Sequence, residues 1–140
     1  MNKLKIISNH PDDTYKAIAL PAKLELCFEQ LELSKGVCYI LLDDESLLEI
    51  NNSLLQHDYY TDIITLDYAD DEDFSHSEVY ISIDRVKENA EQYGVSFVDE
   101  LNRVFIHGLL HLAGHADKTE EEKELMRAQE DHYLALLRST

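Results

Sequence analysis

The chain has 140 residues, a formal net charge of −17, two cysteines and 44% hydrophobic residues. That length suits one domain over residues 1–140, with a core of ordinary size. No apolar run approaches the ~18 residues of a membrane helix, and the start, Met1-Asn2-Lys3-Leu4-Lys5-Ile6-Ile7, lacks the apolar stretch and cleavage site of a secretory leader. The expected setting is therefore cytoplasmic and not membrane-bound.

In chain order, Lys3 to Ser8 alternates weakly and reads as a first strand. Pro21 to Leu33 reads as a helix, with proline in its first turn and Leu24, Cys27, Phe28 and Leu31 on one face. Val37 to Leu42 is a short apolar run, the pattern of a buried strand. Asp43 or Asp44 can cap the next helix, which carries Leu47, Leu48, Ile50 and Leu54 along one side. Thr61 to Tyr68 and Val79 to Ile83 read as strands. The acidic stretch from Ala69 to Ser77 joins them as a loop. Arg85 to Tyr93 reads as a helix stopped by Gly94, and Phe97 to Ala113 as a longer one. Thr119-x-x-Glu122 is a capping-box signature that opens a last helix through about Leu137. Leu125, Met126, Gln129, Tyr133 and Leu136 form its expected packing face. This alternation predicts an α/β (α+β) fold: one small mixed β-sheet of about four strands packed with about five helices.

The helix from Phe97 to Ala113 is apolar almost all round, as buried helices are. One stripe interrupts it: Glu100, Arg103, His107 and His111, at steps of three and four residues. Unpaired polar groups in a buried stripe cost roughly 1–3 kcal/mol each, so the stripe needs partners. His107 and His111 stand one turn apart and can hold the same ion. Gly114 follows as a helix stop in the left-handed region, after which the chain can return Asp117 to that ion. His107, His111 and Asp117 are thus the expected metal ligands, with His115 as the rival for third place. Three protein ligands leave one zinc position open, the pattern of catalytic rather than structural zinc. Gly108 stands where His-Glu-x-x-His proteases carry their general base, which argues against a peptidase.

The remaining conspicuous residues read as structural. Cys27 and Cys38 are expected to be reduced core residues rather than ligands. His10, His57 and His76 fall in loops, and His132 on the last helix. Tyr59 and Tyr60 can stack on bases but are expected to pack. The runs Asp70-Asp71-Glu72-Asp73 and Glu120-Glu121-Glu122 read as solvated surface. Nucleic-acid binders usually show a basic patch. Here that requires the fold to gather several of Arg85, Lys87, Arg103, Lys118, Lys123 and Arg127 around the metal.

The segment His107-Gly108-x-Leu110-His111-Leu112-x-Gly114 resembles the YbeY family of single-strand-specific metallo-endoribonucleases of bacterial ribosomal RNA maturation. In that family's pattern the motif continues Tyr-Asp-His. This chain has His115, Ala116 and Asp117 there, so a carboxylate stands where the family has its third histidine. Thr61-Asp62-Ile63-Ile64-Thr65-Leu66 is similar to the family's Thr-Asp-Val-Leu-Ser-Phe strand. Ile50-Asn51-Asn52 and Tyr80-Ile81-Ser82-Ile83 fall in matching order, although the family's Gly-Asp before the latter is not kept. Leu55 stands where the family usually carries an arginine.

The resemblance implies a zinc-dependent endoribonuclease with one ion, acting in 16S rRNA 3′-end maturation and ribosome quality control. Its implied partners are single-stranded RNA and the ribosome or ribosomal proteins, and not DNA. The implied chemistry is metal-assisted phosphodiester hydrolysis, with either a zinc-bound water or the RNA 2′-hydroxyl as nucleophile. Arg103, one turn before His107, is expected to serve catalysis by pairing with a phosphate, or else to pair with Glu100. The alternative is a ribosome-assembly factor whose metal only braces the fold.

Overall fold

The computed structural model describes residues 4–9, 20–56 and 60–138. Along the chain run β1 (Leu4–Ser8), α1 (Leu20–Gln30), β2 (Gly36–Leu42), α2 (Asp44–Leu55), β3 (Ile63–Leu66) and β4 (His76–Ser82). Three helices follow: α3 (Ile83–Tyr93), α4 (Phe97–Leu112) and α5 (Glu120–Arg138). The four strands form one mixed sheet in the order β1-β2-β4-β3. β2 runs parallel to both β1 and β4, and β3 closes one edge antiparallel to β4. The α/β (α+β) expectation holds, with the anticipated mixed sheet and helix set.

β2 is apolar at nearly every position because both faces of the sheet are covered. Val37, Tyr39, Leu41, Val79 and Ile81 point into the larger core, shared with α1, α3, α4 and α5. Ile40, Leu42 and Ile64 point the other way, under Leu47 of α2. Successive residues of a strand alternate between faces, so one short apolar run supplies two cores.

α4 is the axis of the larger core. Leu101, Phe105, Ile106, Leu109 and Leu110 are fully buried. The Tyr39 hydroxyl donates to the Phe105 carbonyl at 2.9 Å, and the two rings meet edge to face with centroids 4.6 Å apart. Gly108 explains how closely the helix sits on the sheet. A Cβ there would lie 3.0 Å from Val79 Cγ1 and 3.4 Å from Ile63 Cδ1. The residue that departs from the protease pattern is therefore the point of contact between α4 and strands β3 and β4.

Several boundaries differ from the sequence reading. β3 is only four residues long. Ahead of it the Asp62 carbonyl accepts from the Ser82 amide at 3.0 Å, beyond the ladder proper. β4 begins at His76, because Gly36 to Val37 of β2 extend the ladder to His76 and Ser77. α3 begins at Ile83, since Ser82 caps it by accepting from the Arg85 amide. Asp43 rather than Asp44 caps α2, accepting from the Ser46 amide at 2.7 Å. The acidic loop before β4 is held by Tyr68 stacked on Phe74 and by the Lys35 ammonium donating to the Tyr68 and Asp71 carbonyls. The readings for His10, His57 and Tyr59 lie outside the described residues.

The packing face of α5 is the largest correction. Met126, Glu130, Tyr133, Leu134 and Leu137 are the buried set, whereas Leu125 is 54% exposed. The helix is rotated relative to the expected face, which turns a carboxylate inward.

The tight seat at Gly108 generates a contrast between two substitutions. Gly108→Ala adds one methyl against a movable valine and gains helix propensity of about 1 kcal/mol, so stability should stay within about 1 kcal/mol of the parent. Gly108→Val should cost about 2–3 kcal/mol by forcing α4 off the sheet. Urea unfolding midpoints compare the two, and equal midpoints would contradict this packing.

Candidate metal centre

The three expected ligands converge. His107 Nε2 lies 3.0 Å from His111 Nε2, and Asp117 Oδ2 lies 3.3 Å from the first and 3.4 Å from the second. Two donors of a tetrahedral zinc ion, each about 2.0–2.1 Å from it, stand about 3.3 Å apart. The triangle therefore has the size of one face of such a site, and the donor set of two imidazoles and a carboxylate suits a divalent ion. These three residues can hold one.

Two local motifs deliver Asp117. At the end of α4 the His115 amide donates to the Leu110 carbonyl and the Gly114 amide to the His111 carbonyl, both at 3.0 Å. This paired pattern is the Schellman turn, and it needs a left-handed residue at Gly114, whose φ is +97°. Five residues later the expected capping box opens α5. Thr119 Oγ1 accepts from the Glu122 amide at 3.1 Å, and Glu122 Oε1 accepts from the Thr119 amide at 2.9 Å. Asp117 sits in the short link between these motifs, which leave its carboxylate facing the histidines. The described side chains that meet at the triangle do not include that of His115, whose amide serves the turn.

Behind the triangle stands Glu130, 6% exposed on α5. Its Oε2 lies 2.6 Å from His107 Nδ1, and its Oε1 accepts from Arg103 Nη1 at 2.8 Å. An ionised carboxylate only accepts, so His107 Nδ1 carries the proton and Nε2 turns its lone pair toward the centre of the triangle, where it would serve as a ligand. Burial pushes the Glu130 carboxyl up, but the bond from His107 and the Arg103 guanidinium outweigh it and hold its pKa below the ordinary value. Burial likewise pulls His107 down, and the bond to Glu130 with the charges of Glu130, Asp117 and Asp62 more than reverses this. For His111, burial and the neighbouring His107 lower the pKa and outweigh the opposing pull of Asp117 and the His115 backbone.

Arg103, expected near a phosphate or Glu100, gives its second terminal nitrogen to Asp131 Oδ1 at 2.8 Å. Both ends of its guanidinium thus face α5. Glu100 is buried, and its carboxyl is raised first by burial and then by Asp62. Asp62 is raised by burial and opposed by His107, which places it in the electrostatic neighbourhood of the ligands. His76 contacts Ser75 Oγ, and His132 lies against the Tyr133 ring, so both stand apart from the site.

Glu130 is the functional residue that the sequence reading missed. Its signal was present: Met126, Glu130, Tyr133 and Leu137 recur at steps of three and four, with one acid inside an apolar stripe. A buried acid in such a stripe needs a cation or donor opposite.

Two hollows flank the triangle. One, about 530 Å³, runs along β3 and is lined by Asn51, Leu55, Thr61, Ile63, Ile64, Thr65 and Asp67 with His111 and Asp117. The other, about 320 Å³, lies on the α5 side and is lined by Lys123, Glu124, Met126 and Arg127 with His107, Asp117 and Glu130.

The family model described as Endoribonuclease YbeY matches residues 5–138. The chain belongs to the YbeY endoribonuclease family. Among its relatives, the Endoribonuclease YbeY of Cytophaga hutchinsonii is 53% identical over 98 residues, 70% of this chain and 68% of that one. That of Bacteroides thetaiotaomicron is 49% identical over 100 residues, 71% and 72% of the two chains. The Porphyromonas gingivalis protein of the same name is 41% identical over 116 residues, 83% and 76% of the two. The fold is similar to a Thermotoga maritima protein solved in solution, with a TM-score of 0.68 and 25% identity over 96% of this chain and 88% of that one. The family resemblance read from the motif is thereby shown. No helix among the described residues is long and apolar enough to cross a membrane.

The Glu130 contact makes a prediction. Glu130→Gln keeps the shape but removes the charge that orients His107, and loss of such an outer partner typically costs 10–100-fold in metal affinity. Competitive zinc titration should show a loss in that range, with the far-ultraviolet dichroism unchanged. Unaltered zinc affinity would mean that Glu130 does not govern the ligand.

Proposed function

We propose that this chain is a zinc-dependent endoribonuclease that cuts single-stranded RNA, with residues 1–140 as one domain and His107, His111 and Asp117 as the ligands of one ion. The observation that carries the reading is the convergence of those three side chains, 3.0–3.4 Å apart, between two open hollows. When bound, the ion supplies Lewis acidity, lowering the pKa of water to about 7 and polarising a phosphoryl oxygen.

The chain's own residues do the rest. His107 is held in one tautomer by Glu130, and Arg103 fixes Glu130 by a bond of its own. Arg103 serves the reaction in this reading as a positioning residue, acting on the ligand through Glu130. Asp117 balances one unit of the ion's charge. The hollow along β3 offers Asn51, Thr61 and Thr65 beside Leu55, Ile63 and Ile64, a mixture suited to sugar and base. Leu55 stands there in place of the cation expected from the family resemblance.

The family name supports RNA as substrate. Maturation of the 16S rRNA 3′ end, ribosome quality control, contact with ribosomal proteins and a cytoplasmic location belong to the proposal. The rival reading, an assembly factor that keeps its metal only for structure, has less support, because the triangle opens to two hollows rather than closing on a fourth ligand.

Cleavage of a labelled single-stranded ribosomal RNA fragment tests the proposal. Zinc-loaded protein should cut it, and His111→Ala at matched purity should lose at least about 100-fold in rate, the scale of removing a main electrostatic contributor. Equal cutting by both proteins would expose a contaminant, and none by either would favour the assembly factor. Arg103→Ala should lower zinc affinity about as much as Glu130→Gln does, within the 10–100-fold range. Turnover of the zinc-saturated variant should fall less than affinity. The opposite split would place Arg103 on the substrate.

A further inference from the structure

The charge balance of this chain makes its arginines informative. It has 29 acidic and 12 basic residues, and four of the basic ones are arginines: Arg85, Arg103, Arg127 and Arg138. Arg85 is bound to Asp44 at 2.7 Å, Arg103 to Glu130 and Asp131 at 2.8 Å each, and Arg138 to Asp99 at 3.0 Å. Arg127 makes no hydrogen bond or ion pair among the described residues, although acids outnumber bases more than two to one. It is exposed on α5, and its field reaches Glu100.

Arg127 also lines the hollow on the α5 side of the metal triangle, together with His107 and Asp117. Lys123, one turn earlier on the same face, lines it too. Lys123 is 58% exposed and, among the described residues, its side chain is paired only with Glu120, at 3.8 Å, a loose pair that contributes little. Of the two carboxylates in that lining besides Asp117, Glu130 is bound to His107 and Arg103, which leaves Glu124 to face the pair within the hollow. The hollow on the other side has no lysine or arginine among its described lining, and Asp67 is its one charge besides the ligand Asp117. A phosphate beside the ion thus meets protein cations on one side only.

We propose that Arg127, assisted by Lys123, binds the RNA phosphate next to the metal triangle, so that the backbone lies on the α5 side of the site. This rests on the endoribonuclease reading above. It requires no broad basic face: a planar guanidinium with free donors can take two phosphate oxygens at once, and Lys123 adds a point charge. The acidic remainder of the surface then limits binding to the place where these two cations stand.

The test uses a labelled single-stranded RNA oligonucleotide as probe. Binding to the metal-free full chain is measured by fluorescence anisotropy across a salt series, and cleavage by the zinc-loaded chain in parallel. Arg127→Ala should weaken binding about tenfold and reduce the salt slope by about 0.7, the value for one phosphate contact on a single strand. Cleavage efficiency should fall at least as much, with zinc content and Tm unchanged. Lys123→Ala should act in the same direction and less strongly, and Arg127→Lys should keep part of the binding. Arg138→Ala removes the same charge from the same helix and should leave binding within about twofold, as expected for loss of a screened surface charge. Arg127→Ala matching Arg138→Ala while the wild type still cuts RNA would overturn the assignment and leave the endoribonuclease reading standing. Loss of zinc or Tm in Arg127→Ala in step with RNA binding would also overturn it. A wild type that neither binds nor cuts the RNA would overturn both.

Discussion

The site depends on one buried carboxylate. Glu130 joins α5 to α4 through a 2.6 Å contact with His107 and a 2.8 Å bond from Arg103. Leaving any of these three groups unpaired inside the protein would be costly, so the contact, with the Arg103–Asp131 pair and the shared apolar core, favours this facing of the two helices. The same contact decides which nitrogen of His107 carries a proton, and therefore which one is free for an ion. Helix packing and the orientation of His107 meet in this one interaction.

Around that interaction the fold supplies position. The sheet gives α4 a flat bed, and Gly108 lets the helix settle on Val79 and Ile63. A buried, closely seated helix keeps His107 and His111 one turn apart and aimed the same way. Asp117, the proposed third ligand, comes from a link held by hydrogen bonds at both ends, a Schellman turn before it and a capping box after it. A carboxylate in place of an imidazole shifts the charge of the triangle by one unit. It suits a chain whose nearby cations, Lys123 and Arg127, stand on the same side.

Local patterns were legible in the sequence, and relations between distant elements were not. The His-x3-His-x5-Asp spacing, the glycine stop and the capping box all depend on neighbours within six residues, and each is found where it was expected. The two-faced burial of β2 was visible in its unbroken apolar run. The shortened β3 and lengthened β4 follow from strand pairing, which no single segment contains. The face of α5 was misjudged because Leu125 and Gln129 fit a helical stripe as well as Met126 and Glu130 do. Only a histidine and an arginine on another helix make burying the acid favourable. Arg103 stands out in the sequence for its place on the polar stripe, yet its partners lie 27 and 28 residues away.

A net charge of −17 is unfavourable for an RNA enzyme, and the proposed role of Arg127 and Lys123 reconciles the two. Three of the four arginines are paired with acids, and the fourth, Arg127, stands with Lys123 beside the triangle. The claim on which everything else rests is the ligand set itself. X-ray absorption at the zinc edge of the loaded protein measures it directly. One ion per chain is expected, with two imidazoles and oxygen donors at about 2.0–2.1 Å. One imidazole should disappear in His111→Ala, and the spectrum should be unchanged in His115→Ala. A third imidazole that disappears in His115→Ala, or a spectrum indifferent to His111→Ala, would contradict it.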